Sequence, residues 1–440
     1  MPATGSKKRG KYLLIAVMVI AVLAGISACR GFFGQAPIAL LVIQPTDDHE
    51  VPVTITFDIS QSNDPDGTIT SYELDFGDGS PHATGTDVTT ATAISHEYTN
   101  EGTYTVTLTV TDNDGRIGMA TDAVMIGPSM INFATNRDGD YDIWRMKADG
   151  SDQSVVLNTA DDELFPDLLR GTRDKIAYAA EDGTTWNIWK MTVAGLSNTK
   201  LTTQTASQQI EPSWSYTGAK IAYASNAAQT PSATTWEIWT MNADGTGQAK
   251  LTTQSPSWAI APAYSPIDND IVFVSDKNAS GGSSIWKWDS ATASATELYD
   301  STGRDGDVSS AGYPATLGTA LNLPPGAGIS KPAWSPDGSK IAFSTDQSGN
   351  IDIYVMDSDG TNAETLEDYV NGLLASPVTA GTITSSDDEF CPYWLEDGSG
   401  MAFVRKDGTN SFNLYFVSFA DGSVTKLTTT GDNLSPASRR

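Results

Sequence analysis

The sequence predicts an all-β chain in two parts: a small separate unit over residues 38–127, and a ring of six four-stranded sheets over residues 129–440. Three observations predict it. Residues 53–60 and 103–111 alternate apolar and polar side chains, the period of strands with one buried face. From residue 129 onward, one pattern of short strands, punctuated by Pro, aromatic and Asp-Gly landmarks, repeats six times. The Pro-led strand that opens each copy is missing before the first copy and left over after the last, which points to a closed ring.

In chain order, residues 1–29 are a targeting segment rather than fold. Lys7, Lys8, Arg9 and Lys11 form a basic stretch, and the apolar run 12–24 is too short to span as an ordinary transmembrane helix. The run ends in Ile26-Ser27-Ala28-Cys29, which resembles a bacterial lipobox. That resemblance implies that Cys29 is lipidated, becomes the mature N-terminus and anchors the protein at the bacterial cell envelope, in the outer membrane, periplasm or cell surface. An uncleaved N-terminal anchor is the alternative. Arg30 stands where an Asp would signal inner-membrane retention. Residues 30–37 read as a short tether.

Composition agrees with export. The chain carries a net charge of −28, and loss of the four positive charges in residues 1–28 takes it to −32. Such a surface repels phosphate backbones, so nucleic acid is excluded as a partner. There are two Cys. With Cys29 carrying lipid, Cys391 has no disulfide partner, and its place before Pro392 suits a buried structural thiol.

Residues 38–127 contain Asp64-Pro65-Asp66-Gly67, Tyr72, Asp75-Phe76-Gly77-Asp78-Gly79, His96-Glu97-Tyr98, Gly102-Thr103-Tyr104 and Asp112-Asn113-Asp114-Gly115. Together these resemble a PKD domain, and the resemblance implies an immunoglobulin-like sandwich used as a spacer or adhesion module. Leu74 sits where that family commonly has Trp.

In the repeats, Pro opens the first strand at Pro166, Pro212, Pro262, Pro332, Pro392 and Pro436, where its missing N–H costs a ladder nothing. The second strand carries Ile131-Phe133, Ile176-Tyr178, Ile221-Tyr223, Ile271-Phe273, Ile341-Phe343 and Met401-Phe403. The third carries Ile143-Trp144, Ile188-Trp189, Ile238-Trp239, Ile285-Trp286, Ile353-Tyr354 and Leu414-Tyr415. The unaccompanied strand at 434–438 supplies the first strand of the blade that begins near residue 130, which removes exposed sheet edges. The copy at 331–366, with Pro332-Ala333-Trp334-Ser335-Pro336-Asp337-Gly338, Ile341-Ala342-Phe343, Asp352-Ile353-Tyr354 and Asp359-Gly360, resembles the TolB-like family of WD-repeat-related propellers. The resemblance covers 129–440 and implies a six-bladed β-propeller. The copy at 262–298 departs, with Ile267-Asp268-Asn269 at its turn.

Candidate chemistry is sparse. His49, His82 and His96 all precede the repeats, which argues against a His-dependent lyase or a Ser-His-Asp triad in the ring. No Gly-x-Ser-x-Gly elbow follows it. Asp138, Asp140 and Asp142 space oxygen donors as a Ca²⁺ loop would. They also align with residues 348, 350 and 352 of the fifth copy, so the repeat explains them; no cofactor is expected, with a structural Ca²⁺ left open. The first-to-second and third-to-fourth turns are uniformly short, and length varies in the other loops: 226–235, 277–283, 299–329 and 367–390. Long loops on a rigid scaffold are where binding concentrates. Tyr313 and Tyr369 are therefore expected to frame a partner site over the channel. The chain reads as a non-enzymatic, lipid-anchored protein-binding scaffold of the envelope. The alternatives are a carbohydrate-binding surface protein or a polysaccharide lyase or hydrolase. Its partners are accordingly envelope proteins or polysaccharide.

Overall fold

The computed structural model describes residues 34–44, 51–127, 130–169, 174–226, 236–253, 258–276, 283–300, 331–347, 349–379, 381–408 and 411–439. The chain divides into two compact units, an N-terminal sandwich and a C-terminal ring.

The sandwich pairs a three-stranded sheet (Val42–Gln44, Val53–Asp58, Ile94–Tyr98) with a four-stranded sheet (Ala83–Gly85, Ile69–Asp75, Gly102–Asp112, Ile117–Ile126). Its core is the inward half of the alternating runs: Ile55, Phe57, Leu74, Val106, Leu108 and Val110 are buried, so Leu74 fills the position expected of it. The acidic turns are structural. The Asp75 carboxylate accepts from Gly77 N at 2.8 Å, and a Cβ on Gly77 would meet Thr105 O at 2.4 Å. His96 stacks on Phe76 and lies 2.7 Å from Asp78. Gln35 N, in the stretch expected to be tether, donates to Asp66 at 3.0 Å, and Ile38 bridges to Asn63.

The ring consists of six four-stranded antiparallel sheets, numbered here as blades one to six. Blade one takes its innermost strand from Asn433–Arg439, which pairs with Met130–Thr135. The innermost strands of the other blades are Glu163–Leu168, Gln209–Trp214, Ala259–Tyr264, Ala333–Trp334 and Glu389–Trp394. Each packs on its neighbours, around to the strand of blade one. The second-strand aromatics Phe133, Tyr178, Tyr223, Phe273, Phe343 and Phe403 are all buried between blades. Truncating one such ring typically costs about 3–5 kcal/mol, so these residues hold the blades in register.

Many of the acids that give the chain its charge are turn residues. Asp149, Asp244, Asp337, Asp359, Asp397 and Asp421 each accept a hydrogen bond from the backbone N–H two residues on. That bond is the Asx-turn, and it favours Asp before Gly at a tight reversal. One element was not foreseen. After the two-residue strand Glu364–Thr365, helix α1 (Leu366–Leu373) begins, with the Thr365 hydroxyl accepting from Asp368 N as its N-cap.

Candidate functional site

Five of the six innermost strands break their ladder in the same place. The register shifts between Leu164 and Asp167, Ile210 and Ser213, Ile260 and Ala263, Phe390 and Tyr393, and Leu434 and Ala437. At that point the residue before Pro has positive φ: Phe165, Glu211, Ala261, Cys391 and Ser435 lie at 50–56°. These are bulges, which re-aim side chains and increase twist. Five non-glycine residues in this conformation show that ring geometry overrides local preference.

The bulges surround the ring axis. A cavity of about 40 Å³ there is lined by Phe165, Trp214, Tyr264, Lys331, Cys391, Ser435 and the prolines beside them. It lies in the half of each innermost strand that leads into the first-to-second turn. Substrate pockets are typically ~300–1,000 Å³, so this one has room for a few waters. Lys331 of blade five reaches across the ring: Nζ lies 3.2 Å from Asp167 Oδ1 of blade two and donates to Pro212 O at 2.9 Å. Below it, Glu211 Oε2 accepts from Ala261 N at 2.7 Å, while Oε1 is buried without a partner. Burial pushes the Glu211 carboxyl up to about 7, against the Ala261 amide and Lys331. Burial likewise pushes the Cys391 thiol up to about 12. A thiol held protonated is a poor nucleophile, as expected of a structural cysteine.

The two mouths of the channel differ. First-to-second and third-to-fourth turns share one face, the short-turn face. Leu196, Tyr216 and Ile267 lie in such turns and are each more than half exposed. The Tyr369 expectation requires correction. Its ring packs edge-on against Trp394 and Phe419, at centroid distances of 5.6 and 5.7 Å, with Lys340 Nζ 5.8 Å away. Phe419 begins a third-to-fourth turn and Trp394 precedes a first-to-second turn. Tyr369 therefore stitches blades five and six together at the short-turn end, not on the face of the long loops. The early start of α1 causes this. Tyr313, Cys29 and most of the long loops lie outside the described residues.

Of the three aspartates with Ca²⁺-like spacing, Asp138 is exposed, Asp140 half-buried and Asp142 fully buried. Asn158 Nδ2 donates to Asp138 at 3.2 Å and to Asp142 at 2.9 Å. The acid that joins Asp142 is Glu163, from the next blade, which local spacing could not reveal. The third-strand rings are packing residues: Arg137 covers Trp144 at 4.4 Å and Arg405 covers Tyr415 at 4.5 Å. A further repeat went unread. Thr202, Thr252 and Thr428, each in a Lys-Leu-Thr-Thr sequence, accept from Ile188, Ile238 and Leu414 N at 2.9–3.0 Å.

The two folds define a class: an all-β chain that joins a sandwich to a six-bladed propeller. Residues 34–126 match the family model of the PKD domain. The chain is 41% identical over 85 residues to "Microbial collagenase" of Vibrio alginolyticus and 28% identical over 127 residues to "Collagenase ColA" of Clostridium perfringens. Those matches take in 19% and 29% of this chain but 10% and 11% of the relatives. The chain thus spans about a tenth of the length of the curated relatives it matches. TolB from Acinetobacter baumannii superposes with a TM-score of 0.51 at 17% identity, over 77% of this chain and 80% of that one. The chain is therefore a PKD domain followed by a propeller of the TolB-like fold.

Proposed function

We propose that this chain is an exported, lipid-anchored, non-enzymatic binding protein of the bacterial cell envelope, whose propeller docks a partner protein at the short-turn mouth of its channel. The observation that carries the reading is the channel. Its bore is closed by the Lys331–Asp167 pair and holds a few waters at most, so a ligand engages the mouth rather than the interior. Leu196, Tyr216 and Ile267 stand exposed on that face, and a rigid frame carrying apolar and aromatic anchors suits a protein interface. A sugar platform needs several exposed rings side by side; among the described propeller residues the strongly exposed ring is Tyr216. A photo-crosslinking residue placed at Tyr216 or Ile267 in cells tests the docking. A discrete protein adduct from these sites, and none from exposed Thr205 in a blade-to-blade loop of the opposite face, is the expected result. Adducts only from position 205 would move the interface to that face, and adducts from neither face would reject protein docking.

A further inference from the structure

The seams between blades repeat one arrangement, and one seam departs from it in charge. At three of the seams a backbone bond joins the start of the third strand of one blade to the innermost strand of the next: Glu163 N donates to Tyr141 O at 2.6 Å, Ala259 N to Trp236 O at 2.8 Å, Glu389 N to Ile351 O at 2.7 Å. The side chains that meet there are buried, so any charge must be answered locally. Between blades two and three they are neutral, Asn187 and Gln209; between six and one they are Asn413 and Asn433, also neutral. Between three and four the acid is Glu237, with Lys250 at 3.6 Å and the Thr252 hydroxyl at 2.6 Å.

Two seams carry a pair of acids. Between blades five and six these are Asp352 and Glu389. The residue laddered to Glu389 is Arg405, whose Nη2 and Nε lie 2.8 and 3.1 Å from Glu389 Oε1. Between blades one and two the same positions hold Asp142 and Glu163. Here the residue laddered to Glu163 is Ala180, which brings no charge. Asp142 is 0% and Glu163 2% exposed. Asp142 Oδ2 accepts from Asn158 and Glu163 Oε1 from Thr159, yet Asp142 Oδ1 and Glu163 Oε2 are buried without a hydrogen-bond partner. Glu389 also keeps one bare oxygen, but its charge is met by Arg405. Asp138 and Asp140 add further negative charge beside Asp142.

We propose that the seam between blades one and two binds a hard divalent cation of the Ca²⁺ type between Asp142 and Glu163, in the place that the Arg405 guanidinium takes between blades five and six. The donors are all oxygen, which selects Ca²⁺ or Mg²⁺ over softer metals. Among the described residues no three ligating side chains form a ready cage, so the ion keeps several waters. It joins the blade completed by the C-terminal strand to its neighbour and so stabilises the ring.

The full chain is tested by thermal unfolding at pH 7.5 in EDTA and in Ca²⁺, and by Tb³⁺ luminescence sensitised through nearby aromatic residues. Ca²⁺ at about 100 times its Kd should raise the Tm of the propeller by about 5 °C. Ala180→Arg, which restores the counterpart of Arg405, should reach that Tm in EDTA and lose the response. Asp142→Asn and Glu163→Gln each keep the side-chain shape and should reduce Tb³⁺ binding at least tenfold. An unchanged Tm in Ca²⁺ overturns the proposal. So does a Ca²⁺ response or Tb³⁺ signal that survives in both carboxamide variants, which would place the ion elsewhere. An EDTA sample that is stabilised by acid alone, with no effect of Ca²⁺, would show that a proton holds the two acids together instead.

Discussion

Lys331 and Asp167, 3.2 Å apart, join blades five and two, which stand on opposite sides of the ring. The pair is a strut across the channel rather than a link between neighbours. Asp167 also accepts from Trp214 N at 2.8 Å, so it braces blade three as well. Both side chains are largely buried, and leaving either group alone costs more than removing both. Asp167→Ala should destabilise the propeller by about 2–3 kcal/mol. Lys331→Met should cost less, because its apolar stem is kept. A double-mutant cycle read by denaturant midpoint checks the coupling, and additive effects would show that the strut contributes nothing as a pair.

Deletion of residues 434–440 should leave Met130–Thr135 with an unpaired edge and lower the Tm of the propeller. Scanning calorimetry, with aggregation followed by light scattering, measures both effects. A truncated protein that melts and stays soluble like the intact one would show that the strand is dispensable.

Glu211 predicts a pH dependence of known sign. Burial raises its pKa from 4.5 to about 7, so the folded protein holds a proton that the unfolded chain releases in between. Its contribution to stability therefore falls as pH rises from about 4.5 to 7 and is level above. Glu211→Gln removes that slope. The variant should gain stability relative to the parent at pH 8 and gain none at pH 5. Equal differences at both values would place the titration elsewhere.

Cys29→Ser tests the anchor directly. Acyl chains supply membrane affinity at about 0.8 kcal/mol per buried methylene. The variant should move from the membrane fraction to the soluble one on ultracentrifugation, and unchanged partitioning would assign the anchor to another segment.

The repeat was legible because its landmarks have local causes. Pro332 opens a strand that needs no N–H, and Asp337 closes a turn with its own carboxylate. The bulges were not legible. Phe165, Ala261 and Cys391 carry no local preference for positive φ, which the closed ring imposes on them. The Asp142–Glu163 seam escaped for a related reason. Asp138, Asp140 and Asp142 drew attention by spacing, whereas the partner acid and the missing arginine lie in the next blade. Tyr369 was misplaced because a long insertion was taken to start on one face. The helix capped by Thr365 starts on the other.

The pairing of Asn433–Arg439 with Met130–Thr135 also sets the order of events when the protein forms. Blades two to six are assembled from contiguous chain and can condense as each emerges. Blade one waits for a strand encoded after all the others. Contacts so distant in sequence slow folding, because loop closure must precede any reward. Until that strand arrives, Met130–Thr135 presents an unpaired sheet edge, so completion of the ring favours a chaperone that covers open β-edges.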